Sequence, residues 1–172
     1  MTCLAIPWRP RLSSRVAKEI ERKFLVSSPV WRALVESQIR IQQFYLAASH
    51  GRTVRIRISD GTSATLTLKF SGKGRGRDEF EYPVPLAEAR EMQAFALGRI
   101  IEKTRHHVRH RGYRYEVDVF EGELAGLIVA ELETPDIVHD EHLPPWLGSE
   151  VTQDGTYYNA SLALGEKPGS AA

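Results

Sequence analysis

Between residues 17 and 133 the chain repeatedly places a charge, then a mostly apolar residue, then another charge. Glu19 and Glu21 lead to Lys23; Arg55 and Arg57 flank Ile56; Lys69 follows Thr65 and Thr67 at the same spacing. Glu79 and Glu81 flank Phe80, Lys103 precedes Arg105, Glu116 and Asp118 flank Val117, and Glu131 and Glu133 flank Leu132. A strand turns successive side chains to opposite faces, so this period of two predicts strands with one charged and one apolar face. Few folds accept so many of them.

Turn chemistry divides the pattern into strands. Residues 39–47 read as one strand, and His50-Gly51-Arg52 turns into a second at 53–59. Asp60-Gly61 is a strong hairpin signal leading to a third at 62–70. The basic, glycine-rich residues 71–77 form the next hairpin loop, and the alternation resumes at 78–84. Three further strands are expected at 100–109, 113–122 and 126–134. Helices are the minority. Ser27 and Ser28 offer an N-cap and Pro29 suits a first turn, so Trp31, Leu34 and Val35 are assigned to a helix ending near Ser37. Ala89, Met92 and Ala96 have helical spacing within 86–99, with Gly98 as a C-terminal stop. After Thr134 the chain reads as irregular and helical, with Tyr157, Tyr158 and Asn159 anchoring a terminal helix.

The whole is 172 residues, enough for one domain with a sizeable core. We place that domain at 16–165, between a loose extension at 1–15 and a short tail at 166–172. Lys and Arg number 23 against 22 Asp and Glu. This balance predicts no general attraction to nucleic acid or anionic membrane. Cys3 is the single cysteine, which excludes an internal disulfide or a multi-cysteine metal site and makes a reducing cytoplasm the default. No apolar run suits a signal peptide or a bilayer span.

On the charged faces eight acids, Glu19, Glu21, Glu79, Glu81, Glu116, Asp118, Glu131 and Glu133, sit beside six bases, Lys23, Arg55, Arg57, Lys69, Lys103 and Arg105. Any single pair would read as the solvated face of an ordinary sheet. Together they predict an α+β protein: an eight-stranded antiparallel β-barrel closed around a charged lumen, with a few helices packed outside. Desolvated ions cost several kcal/mol each unless paired, so such a tunnel requires a ligand as charged as itself. A magnesium or manganese triphosphate fits. Carboxylates are the hard ligands a divalent ion takes, while Lys and Arg hold phosphate oxygens and neutralise the charge that spreads in phosphoryl transfer.

EIERKFLV at 19–26 resembles the E-x-E-x-K signature that opens the CYTH domain, the bacterial branch of the triphosphate tunnel metalloenzymes. The later charged pairs follow in that family's order, and the similarity runs from Lys18 to Leu164, through EVTQDGTYYNASLA. The overall pattern is most similar to small bacterial tripolyphosphatases. The resemblance implies an eight-stranded tunnel with one or two divalent ions, Mg²⁺ or Mn²⁺. Glu19, Glu21, Glu131 and Glu133 are then candidates for the first metal, with Glu81, Glu116 and Asp118 nearer the second metal or the attacking water, and Glu79 in the same metal-binding set. Lys23, Arg55, Arg57, Lys69 and Arg105 would hold phosphates. Lys103 matches a position near the attacked phosphorus, and Tyr45 either neighbours it or is an ordinary barrel tyrosine. Glu81, Asp118 and Lys103 are the candidate catalytic residues. Arg77 is either a phosphate contact at the mouth or a solvated charge.

The expected reaction is hydrolysis of inorganic triphosphate to pyrophosphate and phosphate, by a cytoplasmic enzyme acting as a monomer or homodimer. Thiamine or nucleoside triphosphate hydrolysis, cyclisation of ATP as in class IV adenylate cyclases, and non-catalytic polyphosphate binding are the alternatives. The loop at 71–77 lacks the G-x-x-x-x-G-K-[ST] of a phosphate loop and lies between strands. His106, His107 and His110 lack the spacing of a zinc site.

Overall fold

A computed structural model describes residues 20–49, 51–71 and 77–165, leaving out the side chains of Ile20, Ser71 and Arg77. The expected extension at 1–15, the tail at 166–172 and Glu19 lie outside the described residues. The strands are β1 (Ile20–Val26), β2 (Val35–Ser49), β3 (Arg52–Ser59), β4 (Ser63–Ser71), β5 (Arg77–Val84), β6 (Leu97–His110), β7 (Tyr113–Phe120), β8 (Ile128–Thr134) and β9 (Leu147–Glu150). Two short helices, α1 (Leu86–Met92) and α2 (Asn159–Ala163), accompany several single 3₁₀ turns.

All nine strands form one sheet in the order β5-β4-β3-β2-β6-β7-β8-β1-β9, and every pairing is antiparallel. This is the charged antiparallel sheet with few helices that the alternation predicts. It differs in two respects. A ninth strand is present, and among the described residues the sheet ends at β5 and β9 with no backbone hydrogen bonds closing one edge on the other.

The apolar faces pack outside in two cores, except at the β5 edge, where Phe70, Phe80 and Tyr82 are exposed. Phe44, Ile56, Ile58 and Ala64 pack against Ala89 of α1. Trp31, Val108, Tyr115, Val117, Ala130, Leu132 and Trp146 form the other. A third cluster lies on the charged side: Tyr45, Ile101, Phe120 and Val129 pack against Tyr157, Leu162 and Ala163. Tyr45 pairs across from Arg55, and Phe120 from Lys103, so these residues share the charged face. Of the helices expected outside, α2 therefore departs: it plugs one end of the charged face.

Element boundaries shift for local reasons. Ser28 caps as expected, its hydroxyl accepting from the Val30 amide, yet the turn is 3₁₀ over Pro29–Leu34 and β2 has begun by Val35. The helix expected over 86–99 stops at Met92 and passes through a 3₁₀ turn, Gln93–Phe95, into β6 at Leu97. Gly98 is thus a strand residue and no helix stop. Its φ is +66°, and a Cβ there would lie 2.1 Å from the carbonyl oxygen of Ala163, so glycine lets α2 approach β6. Asp60 (φ 50°) and Gly61 (φ 68°) turn β3 into β4, as their sequence predicts.

Candidate active site

Strand register brings the alternating charges together. Arg105 on β6 lies opposite Asp118 on β7, and Glu116 on β7 opposite Glu131 on β8. Glu131 in turn lies opposite Lys23 on β1, and Glu133 opposite Glu21. On the other flank Arg55 faces Thr67 on β4, and Thr67 and Lys69 face Glu81 and Glu79 on β5. The charged side chains within each strand are two residues apart, so all share one face.

At the centre is Asp118, 1% exposed. It accepts from Arg105 Nε and Nη2, both at 2.7 Å, and from Lys103 Nζ. Glu131 bridges Arg105 Nη2 (3.0 Å) and Lys23 Nζ (2.6 Å). Lys23 donates also to Glu21, and Arg105 to Glu116. Fully charged and bidentate pairing is what makes burial of so many ions tolerable. Near β5 the contacts loosen: Arg55 Nη2 donates to Thr67 Oγ1 at 3.1 Å, Thr67 donates to Glu81 at 3.1 Å, and Lys69 is 2.8 Å from Glu79. Glu79 and Glu81 are exposed at the sheet edge.

These surroundings shift the titrations. Burial alone would raise the Asp118 carboxyl, but Lys103 and Arg105 together hold it well below the carboxylate range. Glu131 is likewise lowered, with Lys23 overcoming burial. Burial also opposes the charge on Arg105, yet Asp118 and Glu131 raise its pKa. Lys103, fully buried, is pushed down to about 8: desolvation dominates, Asp118 opposes it and Arg105 adds to it. Arg57 falls to about 10, through burial first and then the like charges of Arg55 and Arg105. The bases of this site are crowded and want an anion.

Several participants carry no motif in the sequence. Asn159, at the start of α2, accepts from Lys103 Nζ through Oδ1 at 3.1 Å. Thr67 bridges Arg55 and Glu81. Tyr45 is buried on the same face, its phenol raised by burial against the pull of Arg55 and Arg57. His106 and His107 point to opposite faces, the first edge-on to Trp31 at 5.1 Å and the second beside Ser37 at 2.9 Å. Residues 72–76 of the basic loop lie outside the described residues, but register joins Ser71 to Arg77 as a hairpin.

The sequence of residues 17–162 matches the CYTH domain. The chain belongs to the CYTH domain family. It is 36% identical over 148 residues to the inorganic triphosphatase of Acetivibrio thermocellus, covering 86% of this chain and 94% of that one. A 70-residue stretch is 43% identical to the inorganic triphosphatase of Nitrosomonas europaea, covering 39% and 46% of the two chains. The crystal structure of an inorganic triphosphatase superposes with a TM-score of 0.65 at 29% identity, covering 90% of this chain and all of that one. A Hippeastrum protein described as an adenylyl cyclase with dominant triphosphatase activity shares the fold, at 19% identity and a TM-score of 0.54.

Metal dependence is general to CYTH triphosphatases. Among the described residues no three acids or histidines already converge as a metal cage. The donor set nevertheless fits a hard divalent ion. Glu21 and Glu133 are both exposed and stand directly opposite each other on paired strands, a like-charge arrangement that a cation relieves. Two positions before Glu21 comes Glu19, outside the described residues. Also among the described residues, no helix is long and apolar enough to cross a membrane.

Proposed function

We propose that this CYTH protein is a phosphoanhydride hydrolase that converts inorganic triphosphate to pyrophosphate and phosphate. The observation that carries the reading is the crowding of Arg55, Arg57, Lys103 and Arg105 on one buried face, where among the described residues the Nε atoms of Arg55 and Arg57 are without a partner and Arg55 lies 3.7 and 3.8 Å from Glu81 and Glu79. A linear polyanion laid along this face supplies the missing negative charge. The naming of its relatives as inorganic triphosphatases supports the same substrate.

Lys23, Arg55, Arg57, Lys69 and Arg105 hold non-bridging phosphate oxygens, with Arg77 as a contact at the mouth. Lys103 sits beside the attacked phosphorus, where Asp118 and Asn159 fix its ammonium. Water attacks in line, its oxygen bonding to phosphorus as the anhydride P–O bond breaks and pyrophosphate leaves, while a proton passes to Glu81. Asp118, whose two oxygens already accept from Lys103 and Arg105, acts by holding those two cations in place. Glu19, Glu21, Glu131 and Glu133, with Glu79, Glu81, Glu116 and Asp118 beyond, would hold one or two Mg²⁺ or Mn²⁺ ions. Bound there, such an ion neutralises phosphate charge and polarises the scissile phosphoryl group. The substrate is a small molecule rather than nucleic acid or membrane, and one chain carries the whole site whether monomeric or paired.

Purified protein with Mg²⁺ or Mn²⁺ is expected to release phosphate from tripolyphosphate faster than from thiamine triphosphate or ATP, and to form no cyclic AMP. Preferred turnover of an organic triphosphate, or cyclic AMP from ATP, would replace this substrate assignment. Tight binding with no phosphate release would make the protein a polyphosphate-binding module.

A further inference from the structure

The middle of β2 runs along the charged face between β3 and β6, presenting Ile41, Gln43 and Tyr45 to it. Gln43 lies opposite Arg57 on β3 and opposite Ile101 on β6, with Lys103 two residues further along the same face. Ile101 belongs to the cluster under α2, so Gln43 marks the boundary between the apolar plug and the charges.

Gln43 is 0% exposed, and among the described residues neither its Oε1 nor its Nε2 has a hydrogen-bond partner. The Nε atoms of Arg55 and Arg57 are also buried, with no partner among the described residues. An unpaired buried amide disfavours the folded state, and an apolar side chain of the same volume would not. A buried amide that finds no partner within the fold points to a ligand that completes it. Its charge state is informative as well. Another cation beside Arg57 would add to the repulsion from Arg55 and Arg105, while a carboxylate would pair with Arg57 and compete with a polyanion. A neutral amide adds a donor without either effect.

We propose that Gln43 is a substrate-binding residue at the plugged end of the channel. Its Nε2 donates to a non-bridging oxygen of the phosphoryl group held by Arg57. Its Oε1 accepts from Arg57 Nε, which leaves the two terminal nitrogens of the guanidinium facing that phosphoryl group. This assignment rests on the triphosphatase reading and adds to it a residue that fixes the innermost phosphoryl group.

The test uses the full chain, with tripolyphosphate as ligand, and compares Gln43→Met and Gln43→Glu with the wild type. Calorimetric affinity, kcat, KM and the thermal midpoint without ligand are all measured. Gln43→Met is expected to keep or raise the midpoint while weakening tripolyphosphate binding and raising KM by roughly 10-fold, the loss of one hydrogen bond to a charged acceptor. Gln43→Glu is expected to weaken binding further, because its carboxylate competes for Arg57. Unchanged affinity in Gln43→Met overturns the proposal. A lowered midpoint or failure to fold in Gln43→Met also overturns it, since the amide would then be structural. If the wild type binds tripolyphosphate without hydrolysing it, the triphosphatase reading fails while the affinities still test Gln43; a wild type that neither binds nor hydrolyses overturns both.

Discussion

Lys103 shares Asp118 with Arg105 and donates its second hydrogen bond to Asn159, so it is held in place by two neighbours while its charge is only partly compensated. An ammonium pre-positioned in a dry site is worth most where charge develops in the transition state. Lys103→Met, close in length but without the charge, is expected to lower kcat on tripolyphosphate by roughly 100-fold or more, with a smaller change in KM. Asn159→Ala removes one acceptor and leaves Asp118 in place, so a loss of roughly 5- to 10-fold is expected in the same steady-state assay. Equal losses in the two variants would mean that Lys103 acts only through its fixed position. Most of this network is legible in sequence: Lys23, Arg105, Asp118 and Glu131 occupy alternate positions of strongly patterned strands. Asn159 is not, because it reaches Lys103 across 56 residues from a segment with no charge alternation. Gln43 is hidden differently. It adjoins Gln42, which pairs with Glu102 at 2.7 Å, and two consecutive glutamines do not reveal which one faces the channel.

At the scale of elements, α2 decides where the charged face ends, and Gly98 decides how closely α2 can sit. A methyl group at 98 would meet the Ala163 carbonyl oxygen at 2.1 Å, on a backbone whose φ of +66° already disfavours an L side chain. Strain and displacement together predict that Gly98→Ala costs about 3 kcal/mol, lowering the thermal midpoint by roughly 6–12 °C. Because the shift moves Asn159 with its helix, tripolyphosphate turnover is expected to fall in the same variant at temperatures where it remains folded. A stable, fully active Gly98→Ala protein would separate the plug from the site. The sequence offers the right residue here with the wrong role: a glycine after an amphipathic run resembles a helix stop, and only the return of α2 from about sixty residues on explains it. β9 escapes notice for a related reason. Four residues, Leu147–Glu150, are too few to establish a period of two, and their pairing depends on β1 being in place. Hairpins joined by local turns, such as β3–β4 at Asp60-Gly61, are read from sequence because the turn chemistry itself sets the pairing.

For the molecule as a whole, the near-equality of acids and bases conceals an uneven distribution, with apolar cores outside and buried ion pairs within. Stability should therefore depend on pH through the interior carboxylates. Asp118 and Glu131 titrate lower in the folded protein than their ordinary values of 3.8 and 4.5, so the unfolded chain takes up their protons first. Their contribution is complete above the unfolded values and is lost as pH falls through and below that range. Protonation of these two groups also removes the carboxylate contact of Lys103 and leaves Lys23 and Arg105 with only Glu21 and Glu116. The expected thermal midpoint is nearly level from pH 8 to 6 and drops steeply below about pH 5. Tripolyphosphate should raise the midpoint at pH 7, since a ligand at 100 times its dissociation constant stabilises the folded state by about 2.7 kcal/mol. The same addition at pH 4 tests the internal balance: if the polyanion replaces the lost carboxylate charge, its stabilising effect should be at least as large there despite partial protonation of the ligand. Calorimetric scans across pH, with and without tripolyphosphate, measure both effects. A midpoint that stayed level down to pH 3 would show that the buried ion pairs contribute nothing net to the fold.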